Sequence, residues 1–61
     1  MHAFFITANK TTKLECIRIP EKGELIKFTL DKNIYEVDSV SWKESGDFLN
    51  ALVRLIKVGK I

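Results

Sequence analysis

Clusters of turn-forming residues cut this chain into five short apolar segments, and that spacing limits the fold more than any other feature of the sequence. The clusters are Asn9-Lys10-Thr11-Thr12-Lys13, Pro20-Glu21-Lys22-Gly23, Asp31-Lys32-Asn33 and Glu44-Ser45-Gly46-Asp47. Proline presets φ, glycine takes positive φ without strain, and short polar side chains bond the nearby backbone. The segments between are rich in β-branched and aromatic residues, which suit a pleated, half-buried surface. Short strands at such spacing predict a small barrel or sandwich. With no repeat, low-complexity tract or linker in view, residues 1–61 read as one domain.

The first segment, about residues 2–8, alternates Phe4 and Ile6 with Phe5 and Thr7, so it reads as a strand covered on both sides. The second, residues 14–19, places Leu14, Cys16 and Arg18 on one face, and Pro20 ends it because proline cannot donate to a sheet ladder. The third, residues 24–31, carries Ile26, Phe28 and Leu30 on one apolar face. A tight turn follows, with Asn33 as the residue suited to positive φ. In the fourth, residues 34–43, Tyr35 and Val37 lie in one phase and Val40 and Trp42 in the other. An extra residue near Asp38-Ser39 would let both pairs face one interior, which predicts a β-bulge there.

Residues 48–58 fit two periods. Phe48, Leu49, Leu52, Val53, Leu55 and Ile56 form a helical stripe that Asp47 would cap. Val53, Ile56 and Val58 are β-branched, and the hairpin-spaced segments before them favour a fifth strand. The expected fold class is therefore all-β, a small five-stranded antiparallel barrel. The alternative is a four-stranded sheet with a C-terminal helix, an α+β fold.

A core this small supplies only ~3–5 kcal/mol without a staple. Cys16 is the only cysteine and cannot form an internal disulfide. Cys16, His2 and scattered acids show no metal-ligand spacing, so neither metal nor cofactor is expected. Self-association remains, and a hydrophobic fraction of 46% exceeds what one tiny core can hide. A homodimer is the expectation. Ten basic and eight acidic residues interleave along the chain, the pattern of a solvated surface and not of a basic nucleic-acid-binding stripe. The start carries no basic leader, no stretch matches a membrane span, and the lone cysteine favours the cytoplasm.

The stretch Ile19-Pro20-Glu21-Lys22-Gly23-Glu24-Leu25-Ile26, followed by Ile34-Tyr35-Glu36-Val37 and Val40-Ser41-Trp42, resembles small SH3-like barrel proteins of phages and prophages. In those a P-x-x-G-[DE] turn introduces a strand, and a Y-x-V-x-x-V-x-W strand follows the next hairpin. The resemblance implies an SH3-like barrel and a mobile-element origin. It carries over no functional residue.

No catalytic constellation emerges. A Cys16 nucleophile would need His2, the only histidine, as its base, whereas cysteine in small domains is more often a buried hydrophobe. Glu21 with Glu24 and Glu36 with Asp38 are paired carboxylates without a cleft to perturb them. The chain thus reads as a non-enzymatic protein-interaction module, a homodimer of the kind phages use to occlude and inhibit a host protein. Phe48, Leu49, Leu52, Val53 and Ile56 of the last segment are its candidate interface. The alternative is a single-stranded nucleic-acid-binding barrel, in which Lys10, Lys13, Arg18, Lys27 and Lys43 meet phosphates and Tyr35 and Trp42 stack on bases. Because Tyr35 and Trp42 fall on apolar phases, both are expected in the core.

Overall fold

The structure is a computed structural model that describes residues 2–28 and 32–61. It consists of β1 (His2–Ile6), β2 (Thr11–Glu15), β3 (Leu25–Phe28), β4 (Asn33–Ser45) and β5 (Phe48–Lys60). All five lie in one sheet of order β2-β1-β5-β4-β3, curled into a half-barrel. Among the described residues there is no helix, hence none long and apolar enough to cross a membrane. The all-β expectation therefore holds, and the helical alternative for the last segment does not. Its β-branched residues sit in a 13-residue strand instead.

The wholly antiparallel, closed barrel requires correction. Each successive strand reverses direction, so the first and fifth run the same way, and curling the sheet to set them side by side leaves them parallel. The register runs from Ala3 opposite Ala51 to Ile6 opposite Arg54. The other three pairings are antiparallel. β2 and β3 are the outer strands and do not pair. Residues 16–24 instead form a strap between them, and this stretch includes most of the expected second strand.

That strand starts earlier, at Thr11, because the preceding turn is tighter than the polar run suggested. The Thr7 N–H donates to the Lys10 carbonyl at 2.9 Å, and Thr11 and Thr12 pair with Ile6 and Phe5. Of the expected third strand, residues 29–31, with Leu30, lie outside the described residues. In the turn before β4 it is Lys32, not Asn33, that takes positive φ (57°). Asn33 is already in β4, opposite Phe28 and Lys60, so the left-handed position falls one residue earlier.

The bulge anticipated at Asp38-Ser39 is present: Val37 faces Leu55 while Ser39 faces Arg54. It keeps both apolar pairs in one phase. Tyr35 and Val37 before it share the inner face with Val40 and Trp42 after it, since these oppose the buried Val53 and Ala51. A second register shift, between Ile34 and Tyr35, was not foreshadowed by the apolar pattern.

The core consists of Ala3, Phe5, Tyr35, Val37, Ala51, Val53 and Leu55 on the concave face. Cys16 and Ile19 of the strap, with Ile26, Phe28 and Val40, pack against it half-buried. Phe28 meets Phe5 edge-on at 5.8 Å and Tyr35 at 5.6 Å between ring centroids, the geometry that the ring quadrupoles favour. The Tyr35 hydroxyl accepts a hydrogen bond from the Asn33 amide at 3.2 Å, so the buried ring keeps its polar end satisfied.

The strap is pinned at its far end. The Gly23 N–H donates to the Val37 carbonyl at 2.8 Å, and the Val37 N–H donates to the Glu24 carbonyl at 2.9 Å. Gly23 adopts φ 92°, a conformation a side chain would strain. The Arg18 guanidinium donates two hydrogen bonds to the Glu24 carboxylate, at 2.9 and 3.1 Å. Those bonds, with the charge behind them, hold the Glu24 carboxyl below the usual carboxylate range. Its contribution to stability is present above the unfolded-state value and disappears as pH falls through the lower folded value. Acidification below the ordinary glutamate range is therefore expected to lower the protection of the Gly23 amide, measured against the intrinsic exchange rate at each pH, before protection falls in β5. Glu24→Gln should remove that pH response; identical acid profiles in both forms would contradict the assignment.

Candidate protein interface

Strands β4 and β5 outrun the rest of the sheet. Along β5, β1 pairs only with residues 51–54, and the pairing of β3 with β4 ends at Glu36. Beyond Glu36, residues 39–45 of β4 have no strand on the β3 side among the described residues. Past β1, residues 43–45 and 48–50 project alone as a two-stranded arm, with Trp42 at its root and Gly46 at φ 62° closing it. The molecule measures 38 × 22 × 21 Å, with a radius of gyration of 11.4 Å where a compact chain of this length has about 10.5 Å. The arm extends the sheet where little core lies beneath it.

Its side chains are nevertheless apolar. Trp42 is 55% exposed, Phe48 76% and Leu49 58%. Trp42 and Leu49 follow the inward phase of their strands but lie past the end of the core, so the expectation of a buried tryptophan is corrected. Alternation sets the face that the indole takes, and the short β3, ending opposite Glu36, leaves that face uncovered there. Trp42 opposes Ala51, and Ala51 opposes Ala3, two side chains too small to build the core outward to the indole. With His2, Ile19 and Asn50, these three arm residues line a pocket of about 320 Å³.

The interface residues expected from the sequence separate here. Phe48 and Leu49 belong to the arm. Leu52 is half-buried and Ile56 is 48% exposed on the convex face, where Leu52 opposes Phe4. Lys13 lies over the Phe4 ring, 5.8 Å from its centroid. Val53 is fully buried, so it belongs to the core and is removed from the interface. Trp42 is the residue that the sequence reading missed as a surface group.

The basic residues of the nucleic-acid alternative are dispersed. Lys10 is in the β1–β2 turn, Lys13 on β2, Lys27 on β3 and Lys43 on the arm. Lys27 opposes Ile34, and Lys43 lies nine residues farther along β4, roughly 30 Å at the strand rise. Arg18 is engaged by Glu24. Tyr35 is buried, leaving Trp42 as the exposed member of the proposed stacking pair.

Among the described residues no hydrogen bond joins His2 to Cys16, whose thiol donates to the Leu14 carbonyl at 3.6 Å. His2 lines the arm pocket, whereas Cys16 packs on the core and lines a second pocket with Phe5, Arg18, Glu24 and Ile26. Among the described residues, no group of three or more His, Cys, Asp or Glu is placed to hold a metal ion. No protein-family model, curated protein or solved structure matches this chain.

Proposed function

We propose that the protein is a non-enzymatic interaction module that works as a homodimer and blocks a surface of another protein. The observation that carries this reading is the projecting arm, with Phe48 and Leu49 exposed near its tip and Trp42 exposed at its root. A cluster of large apolar groups in water is costly unless a protein covers it, and aromatic side chains dominate protein-binding hot spots. The phage-type inhibitor role and cytoplasmic setting belong to the same proposal. They rest on the SH3-like resemblance of residues 19–42 and on the single cysteine.

The second reading, a single-stranded nucleic-acid binder, is supported by the exposure of Trp42 near Lys43. Binding of fluorescent oligonucleotides across a salt series separates the two, because phosphate contacts weaken steeply as salt rises. The interaction-module reading expects no saturable binding even at low salt. Saturable binding at low salt that is lost at moderate salt and abolished by Trp42→Ala would replace it with the second reading.

A further inference from the structure

We infer that two copies join by antiparallel pairing of their β4 edges over residues 39–45, in the register that sets Trp42 of one copy opposite Trp42 of the other. This rests on the homodimer reading above and gives it a contact. Three observations lead to it.

The first is area. A folded monomer of 7.0 kDa presents about 4,000 Å² to solvent. This chain presents 4717 Å², roughly 700 Å² more. A standard interface buries ~800 Å² per partner, so one copy has the surplus surface that a stable dimer covers. The large apolar residues of the arm are part of it.

The second is the backbone. On its β3 side, β4 is bonded as far as Val37, through Gly23 and Glu24. Among the described residues no strand pairs with that side of residues 39–45, which pair only with β5. The bulge at Asp38 marks where the free edge begins. An edge of this kind, beside exposed apolar side chains, is a template for another strand.

The third is symmetry. Two antiparallel copies related by a two-fold axis must have one residue facing itself. Centring on Lys43 or Glu44 sets like charges directly opposite, and centring on Ser41 sets Glu44 against Asp38. Centring on Trp42 sets Lys43 against Ser41 and Glu44 against Val40, with no like charges opposed. Trp42 also bisects the free edge, so each residue from 39 to 45 gains a partner. The two indoles then form a cross-strand aromatic pair.

Single-cysteine chains test the register in a Cys16→Ser background. Directly opposed residues lie about 4.5–5.5 Å apart at Cα, within disulfide reach, whereas diagonal ones are about 7–8 Å apart. Mixing the Ser41→Cys chain with the Lys43→Cys chain under mild oxidation should give a cross-linked heterodimer. Either chain alone should give at least several-fold less. Equal cross-linking in the separate chains overturns the register. No heterodimer, with sedimentation still showing a dimer, overturns the edge contact and leaves the homodimer standing elsewhere. Monomeric behaviour of the unmodified chain overturns both.

Discussion

Replacing Val53 with aspartate is expected to abolish folding, whereas the same change at Ile56 leaves the domain folded. Val53 is fully buried, with Phe5 and Val40 as its register neighbours on either side. An unpaired carboxylate there costs several kcal/mol, about as much as the whole stability of a core this size, ~3–5 kcal/mol. Even Val53→Ala, which removes buried methyl groups and leaves a cavity, should cost about 2–3 kcal/mol. Ile56 faces the convex side and is 48% exposed, so a charge there remains hydrated. Far-ultraviolet circular dichroism and urea titration of the two variants provide the comparison. A folded Val53→Asp protein would show that the concave face is not the core.

The second large effect is expected at Trp42. Trp42→Asp should dissociate the dimer while preserving the strand spectrum, because the indole is 55% exposed and contributes little to the monomer interior. Truncating an aromatic hot spot costs about 2 kcal/mol or more, roughly 30-fold in affinity. At a self-paired position both copies lose the contact, and the two introduced carboxylates then oppose one another. Ile56→Asp, on the opposite face, should change the dimer affinity little. If Ile56→Asp dissociates the dimer and Trp42→Asp does not, the interface is convex and the arm is free.

These two residues also mark how far the sequence carries. Period-two alternation correctly separates Ala51, Val53 and Leu55 from Leu52 and Ile56, and the phase slip at Asp38 shows through the spacing of Tyr35, Val37, Val40 and Trp42. Such features are local, written by side chains on their own strand. Alternation tells which face a residue takes, but not whether a neighbouring strand extends far enough to cover it. Val53 and Trp42 take the same inward face, yet Phe5 and Val40 flank and cover the first while, among the described residues, only Ala51 lies opposite the second.

The parallel pairing of β1 with β5 is a matter of topology. No residue in either strand encodes it, because the direction follows from the number of reversals between them. The strap was hidden for a related reason. Cys16 and Ile19 have the composition of strand residues, yet the chain between β2 and β3 uses them to cover the core from outside the sheet. Of the candidate interface, Phe48 and Leu49 were legible as apolar residues beside a turn. Their partner Trp42 becomes visible only once β3 is seen to stop opposite Glu36, well short of it.

The homodimer is the central claim, and sedimentation equilibrium of the unmodified chain over a concentration series tests it most directly. The expected result is a reversible shift, within the micromolar range, from the 7.0 kDa chain mass to twice that value, with Trp42→Asp held at the lower mass. A single species at the chain mass up to the solubility limit would contradict it, leaving Trp42, Phe48 and Leu49 as a surface for a different protein.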